Sequence, residues 1–224
     1  MKKIWLFGDS IFKGITYSDE KQRYRVSAMQ NFKKLEESGI EIQNFSKLGA
    51  TIEYGYKILK TKLLAPTEDS TVFFEYGGND CDCDWKYVAE HVNEKKESNV
   101  DIETFKSVYK KCIQYAKDCK TRVVLVNLVP IDAEKYMNWI GKEGRYANIL
   151  RWLGDKSMLY RLHEYYNRAV EDIARETGCE LLDLRSMFLL SHEYHLLMSR
   201  DGLHPSMMGY QKIENALTKF VLRT

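Results

Sequence analysis

Long hydrophobic runs are missing from this sequence: no apolar stretch approaches the roughly 20 residues that a membrane-spanning helix needs. A surplus of charge of one sign is missing as well, because the 224 residues carry a net charge of +2 and their lysines and arginines are scattered. Nothing therefore points to a nucleic-acid partner. The apolar stretch after Lys2 and Lys3 ends at Gly8 and is too short for the hydrophobic region of a signal peptide, so we expect a cytoplasmic protein without a membrane span.

Cysteine and histidine residues are not grouped as metal sites require. The five cysteines are an odd number, which favours free thiols over disulfides. Cys81 and Cys83 lack the second cysteine pair or nearby histidine that would complete a tetrahedral site. Aspartates alternate in residues 80–84 as at the start of a calcium loop, but Trp85 stands where that loop needs glycine. We therefore expect no metal and no cofactor.

Short apolar stretches alternate with amphipathic segments along the whole chain. Five of these stretches are rich in bulky or β-branched side chains and are predicted strands: residues 4–7, 40–45, 71–76, 123–128 and 181–184. Strands that alternate with helices predict an α/β fold, here a five-stranded parallel sheet with helices on both faces. Because the sequence contains no repeat, low-complexity tract or linker, we expect residues 1–224 to form one domain.

Three segments of this pattern are predicted to be irregular. Residues 11–24 are polar and are interpreted as a loop, followed by a helix whose apolar positions include Val26, Met29 and Leu35. Residues 81–100 and 131–156 are interpreted as long excursions near the open edge of the sheet.

The aromatic side chains of the two excursions have two possible roles. They can pack over the core, or some of them can line a substrate rim. Trp85 and Trp139 are the candidates for such a rim, where an indole ring could stack on a sugar or cover an acyl chain.

Polar, glycine-containing motifs follow four of the five predicted strands. They are Gly8-Asp9-Ser10, Gly49, Gly77-Gly78-Asn79-Asp80 and Asp201-Gly202-Leu203-His204-Pro205. Ligand sites in parallel sheets lie at the carboxyl ends of the strands, so we expect these motifs to converge on one edge.

The converging side chains are the types that acyl transfer needs. Ser10 is the candidate nucleophile, His204 the candidate base, and Asp201 the carboxylate that orients the imidazole. The Ser10 N–H, the Gly49 N–H and the Asn79 side-chain amide are candidate donors of an oxyanion hole. Asp9 is interpreted as a brace for the Ser10 turn.

These motifs resemble those of the SGNH, or GDSL, hydrolases. Gly8-Asp9-Ser10 matches the first block of that family, Gly49 the second, Gly77 to Asp80 the third, and Asp201 to Pro205 the fifth. The resemblance implies a three-layer α/β/α sandwich of the flavodoxin-like type and hydrolysis through an acyl-serine. It also assigns the nucleophile, the oxyanion donors and the acid–base pair to the positions named above. The two long excursions lie outside the blocks, so the substrate does not carry over from the family.

The leading functional hypothesis is a serine esterase that acts on a small-molecule ester. The expected substrate is a short acyl group, such as acetyl, on a carbohydrate or another small polar alcohol. A lipase, lysophospholipase or thioesterase for longer acyl chains is the alternative within the same chemistry.

Two hypotheses from other classes remain. A two-metal phosphoesterase needs several histidines, but only His204 lies in a motif, and the other four histidines (His91, His163, His192 and His195) are interpreted as structural. A non-catalytic binding module is disfavoured because Ser10, Asp201 and His204 are all present.

Overall fold

A parallel sheet forms the centre of the protein, seen in a computed structural model that describes residues 2–26, 32–67 and 69–223. In chain order the strands are β1 (Lys3–Gly8), β2 (Ile15–Ser18), β3 (Arg23–Val26), β4 (Glu41–Asn44), β5 (Ser70–Glu75), β6 (Arg122–Val126) and β7 (Glu180–Leu182). Five of them pair in parallel in the order β4-β1-β5-β6-β7. This order is the flavodoxin-like arrangement, and the predicted α/β fold with five parallel strands is confirmed.

Helices cover both faces of this sheet. They are α1 (Lys33–Glu37), α2 (Ile52–Lys62), α3 (Trp85–Glu90), α4 (Ile102–Asp118), α5 (Ala133–Ile140), α6 (Tyr146–Leu153), α7 (Ser157–Thr177), α8 (Arg185–Leu189), α9 (Tyr194–Leu197) and α10 (Met207–Leu222). None of these described helices is both long enough and apolar enough to cross a bilayer.

Alternation of side chains along β1 shows how the three layers are held together. Trp5 and Phe7 pack with the buried faces of α2, α4 and α7 on one side of the sheet. Ile4 and Leu6 pack on the other side, with α1, α8, α9 and α10. Because both faces of the strand are buried, β1 is a continuous apolar run, as is typical of parallel sheets. The predicted three-layer sandwich is confirmed.

Both excursions contain helices, so the prediction that residues 131–156 are irregular was wrong. Helix α3 lies in the first, and α5 and α6 lie in the second. Their apolar residues, such as Val88, Met137 and Ile149, form a separate small core. Short helices of this kind become stable by packing on one another, and the neighbours that provide that packing are distant in the sequence.

Residues 11–24 were interpreted as a loop, and the structure corrects this interpretation. The segment contains most of a β-hairpin. Strands β2 and β3 pair antiparallel, with Tyr17 opposite Tyr24 and their ring centroids 5.4 Å apart. Cross-strand aromatic pairs stabilise such ribbons. Val26 ends β3 rather than starting a helix, and α1 begins at Lys33. Met29 lies outside the described residues.

Candidate active site

The turns after β1 and β5 are adjacent because these strands are neighbours in the sheet. Ser10 follows β1 and is 4% exposed, and Asn79 follows β5. Asp9 joins the two turns, since its Oδ1 accepts the Ile11 N–H at 2.8 Å and its Oδ2 accepts the Asn79 Nδ2–H at 3.0 Å. This arrangement is the bracing geometry proposed for Asp9 from the sequence. It leaves the second amide proton of Asn79 available to a ligand.

Asp201 and His204 form a buried pair in the turn between α9 and α10. Asp201 Oδ2 lies 2.7 Å from His204 Nδ1, while Oδ1 accepts hydrogen bonds from the Ser199 hydroxyl at 2.8 Å and the His204 N–H at 3.0 Å. Gly202 makes the turn possible: its φ is +71°, and a Cβ there would lie 2.5 Å from the Asp132 carbonyl oxygen. The three hydrogen bonds fix the carboxylate relative to the imidazole.

The protonation of this pair follows from its surroundings. Burial would raise the pKa of Asp201, but the hydrogen bonds and charge of His204 outweigh it and lower the pKa to about 2. An ionised Asp201 holds the imidazole proton on Nδ1, which leaves Nε2 as the acceptor. His204 Nε2 is buried and has no hydrogen-bond partner among the described residues. The pair therefore presents a base with a free lone pair.

Gly49 occupies the exposed turn after β4. Its φ of +75° is in the left-handed region, which glycine adopts without strain. The neighbouring Lys47 donates its N–H to the Gly8 carbonyl at 3.2 Å, so this turn is attached to the end of β1. Gly49 does not line the cavity that Ser10 and Asn79 share. The structure thus brings Ser10, Asn79 and Asp9 together and leaves Gly49 at the periphery.

Glu75 is a part of the site that the sequence analysis missed. It ends β5 opposite Gly8, is 2% exposed, and accepts the Asp9 N–H on Oε2 at 3.3 Å. Burial, and then the nearby Asp9 carboxylate, raise the pKa of Glu75 well above its usual range. The sequence signal was a glutamate at the end of an apolar run, directly before a motif. Burial raises the pKa of Asp9 as well, and with Glu75 protonated the two carboxyl groups carry at most one negative charge.

Tyr24 is the second missed residue, and it comes from the unpredicted hairpin. Its ring lies edge-on to His204 with centroids 5.2 Å apart. Burial, and then the negative charge of Asp201, raise the pKa of Tyr24. Trp139 of α5 packs against Tyr17 at 4.6 Å and Tyr24 at 6.2 Å. We call Tyr17, Tyr24 and Trp139 the aromatic wall, which stands beside the Asp201–His204 pair.

The two predicted rim residues lie in different surroundings. Trp139 is half-buried, and the Lys142 ammonium lies 3.2 Å from its ring centroid. Trp85 is only 8% exposed, and its indole N–H contacts Asp82 Oδ1 at 2.7 Å and the Tyr136 hydroxyl at 3.0 Å. Trp85 is therefore a buried side chain whose N–H is held by the Asp82 carboxylate, and its ring lines a small recess.

One small cavity adjoins Ser10, and a second lies next to the first. The inner pocket is lined by Ser10, Asn79, Leu128, Val129, His163 and Leu203, among others. The outer recess is lined by Trp85, Ile131, Tyr136, Leu159 and Leu162, and it shares Gly78, His163 and Leu203 with the inner pocket. Each has a volume of about 20 Å³, which is room for roughly one water-sized group.

No group of three or more His, Cys, Asp or Glu side chains within the described ranges is arranged to hold a metal ion. A hydroxyl, an imidazole with a free nitrogen, a carboxylate and amide donors are the groups required for acyl transfer.

Known proteins are similar to this chain in sequence pattern and in fold. The model of the GDSL-like lipase/acylhydrolase family matches residues 6–212. No curated protein matches the chain.

Three similar solved structures illustrate the likeness in fold. A lipase/acylhydrolase from Enterococcus faecalis is 21% identical, with a TM-score of 0.69 over 99% of this chain and 95% of that one. The acetyl xylan esterase AlAXEase is 18% identical, with a TM-score of 0.64 over 98% and 99%. A catalytic mutant of an acetylxylan esterase from Geobacillus stearothermophilus is 16% identical, with a TM-score of 0.61 over 97% and 93%.

Proposed function

Because the chain belongs to the GDSL-like lipase/acylhydrolase family, we propose that it is a serine esterase that releases a short acyl group through an acyl-serine intermediate. The observation that carries this proposal is the buried Asp201–His204 pair, whose Nε2 is free for a proton. Ser10 and Asn79 line one cavity together with Leu203, the residue before His204.

The proposed first half-reaction is acylation of Ser10. The Ser10 oxygen attacks the ester carbonyl while His204 Nε2 accepts its proton, and the ionised Asp201 stabilises the resulting imidazolium. The negative charge that develops on the carbonyl oxygen is stabilised by the Asn79 amide and by the Ser10 N–H. The carbon–oxygen bond to the leaving alcohol then breaks, and His204 returns the proton to that alcohol.

In deacylation a water oxygen is the nucleophile and the Ser10 oxygen is the leaving group. A water molecule gives its proton to His204 Nε2 and attacks the acyl-serine carbonyl, and the same donors stabilise the second tetrahedral intermediate. Ser10 leaves with the proton from His204, and the carboxylic acid is released.

Cavity size supports a short acyl group. The inner pocket and the outer recess each have room for only about one water-sized group, so a group as small as acetyl requires the least rearrangement and a long chain the most. The aromatic wall stands beside His204, the group that protonates the leaving alcohol. Aromatic rings bury the apolar face of a sugar well, so the wall suits a carbohydrate or a similar polar alcohol. Two structurally similar proteins are acetylxylan esterases.

The five free cysteines are typical of a reducing compartment, and we place the reaction in the cytoplasm.

The chain-length profile of p-nitrophenyl esters from C2 to C12 tests this proposal. We expect kcat/KM to be greatest between C2 and C4 and to fall by about tenfold or more at C8, because each further methylene must find room outside the two cavities. The Ser10→Ala and His204→Ala variants are the inactive controls. A rise in kcat/KM towards C12 would contradict the short-acyl proposal and favour a lipase or thioesterase.

A further inference from the structure

His163 is the buried polar residue that both cavities share. It lies in α7, far in sequence from every motif, and it is 4% exposed. Its side chain lines the inner pocket beside Ser10 as well as the outer recess. The sequence analysis interpreted it as structural, because no neighbouring residues mark it as part of a site.

A buried arginine determines which nitrogen of His163 carries the proton. Arg185 Nη1 lies 3.4 Å from His163 Nδ1 and also donates to the Leu128 carbonyl at 3.0 Å. A guanidinium has only donors, so Nδ1 must be the acceptor and the proton resides on Nε2. Arg185 Nη2 lies 2.7 Å from Glu164 Oε2, which holds the guanidinium in place. Arg185 is not among the residues that line either cavity, so it supports the imidazole from behind.

His163 remains neutral throughout the working range of pH. Burial, and then the positive charge of Arg185, lower the pKa of His163 to about 3. A neutral imidazole with its proton on Nε2 is a hydrogen-bond donor that does not change with pH between about 5 and 9.

Other polar side chains of the outer recess are already satisfied. Trp85 and Tyr136 both donate to Asp82, and the Cys81 thiol donates to the Gly78 carbonyl. His163 Nε2, by contrast, has no hydrogen-bond partner among residues 2–26, 32–67 and 69–223. This nitrogen is not among the fully buried atoms that lack a partner, so water can reach it, and an acceptor oxygen of a ligand in the pocket would replace that water.

We propose that the Nε2–H of His163 binds a neutral acceptor oxygen on the acyl group of the substrate, so that the enzyme favours short acyl chains carrying an ether, hydroxyl or keto oxygen over hydrocarbon chains of the same length. The inference rests on the proposed function of Ser10 as nucleophile. Acetyl is then the shortest acyl group that the site accepts, and the preferred acyl group is one or two atoms longer than acetyl. Carboxylates are disfavoured as acceptors because the carboxyl groups of Asp9 and Asp82 line the same cavities.

Two isosteric esters test this inference on the wild-type enzyme. In p-nitrophenyl methoxyacetate an ether oxygen replaces one methylene of p-nitrophenyl butyrate, so the two acyl groups have the same length. The ratio of their kcat/KM values is compared with the ratio of their rate constants for hydroxide-catalysed hydrolysis, which corrects for intrinsic reactivity. We expect the enzymatic ratio to exceed the chemical ratio by about tenfold, the factor that one ordinary hydrogen bond contributes. Equal ratios would overturn the inference.

Variants at His163 then separate donation from packing. His163→Leu is expected to reduce the enzymatic ratio to the chemical one, whereas His163→Gln keeps a donor near the position of Nε2 and is expected to retain most of the preference. His192→Leu, at an exposed histidine that lines neither cavity, is the matched control and should behave as wild type.

Three results would contradict the inference. One is an unchanged ratio in His163→Leu. Another is an equal loss in His163→Gln, which would attribute the effect to packing. The third is an equal loss in His192→Leu. If a variant at His163 does not fold, the comparison of the two esters on the wild-type enzyme still tests the inference. A wild-type enzyme that cleaves neither ester would refute the proposed function itself, and this inference with it.

Discussion

Asp9 Oδ2 and Asn79 Nδ2 are 3.0 Å apart, and this hydrogen bond joins the turn that carries the proposed nucleophile to the turn that carries a proposed oxyanion donor. The other oxygen of Asp9 accepts the N–H of Ile11, the residue after Ser10. The Asp9 carboxylate therefore orients both the Ser10 turn and the Asn79 amide, without itself taking a proton in the proposed reaction.

Asp9→Asn tests this orienting role. The Ile11 N–H and the Asn79 amide face different oxygens of Asp9, and in the variant one of these positions becomes an NH2 group, so one of the two donors loses its acceptor. We expect kcat on p-nitrophenyl acetate to fall by about 10- to 100-fold, less than the loss typical of deleting an oxyanion donor, with KM nearly unchanged. Asp118→Asn, at an exposed carboxylate on α4, is the matched control. An unchanged kcat in Asp9→Asn would show that Asn79 is oriented by other contacts.

Glu75 gives a prediction for the pH dependence of stability. Its pKa is raised by burial and by Asp9, so the folded protein retains a proton that the unfolded chain releases above about pH 4.5. The wild-type free energy of unfolding therefore falls as pH rises through that range. Glu75→Gln carries no such proton, so its stability relative to wild type should increase with pH, by at most about 1.4 kcal/mol per pH unit.

Urea unfolding of both proteins at pH 4, 6 and 8 measures this difference. Glu20→Gln, at an exposed glutamate, controls for the loss of a surface charge. If the curves of wild type and Glu75→Gln run parallel with pH, Glu75 is ionised in the folded protein and the pairing with Asp9 is wrong.

Tyr24 is expected to act through its ring. Tyr24→Phe keeps the ring edge beside His204 and should have nearly wild-type kcat/KM. Tyr24→Ala admits water to the Asp201–His204 pair, which weakens the attraction between carboxylate and imidazolium, and we expect kcat/KM to fall by about tenfold. Tyr165→Ala, at an exposed tyrosine of α7, is the control for loss of an aromatic side chain. A loss in Tyr24→Phe as large as that in Tyr24→Ala would assign the effect to the hydroxyl instead.

Most of the fold could be predicted because buried parallel strands leave a strong mark on the sequence. Residues 71–76 and 123–128 are nearly continuous apolar runs, and both contain strands of the sheet. The hairpin of β2 and β3 left no such mark. Its strands are four residues long, and β3 is exposed throughout, so its formation depends on pairing and on contacts with Trp139 rather than on hydrophobic alternation.

The candidate site could be predicted only where its residues are close in sequence. Asp201 and His204 are three residues apart, so a single turn brings them together. His163 depends on Arg185, which is 22 residues away, and on cavities that several elements enclose. The surroundings of Trp85 could not be predicted for the same reason, since its indole N–H contacts Tyr136, 51 residues further on.

The central claim is that Ser10 is an activated nucleophile. Mass spectrometry of the intact protein after treatment with a fluorophosphonate probe tests this claim most directly, with wild type and Ser10→Ala measured side by side. We expect a single phosphonate adduct on the wild-type protein and none on the variant, because only the Ser10 hydroxyl is activated by His204. A wild-type protein that remains unlabelled, or an adduct that persists in Ser10→Ala, would contradict the assignment of Ser10.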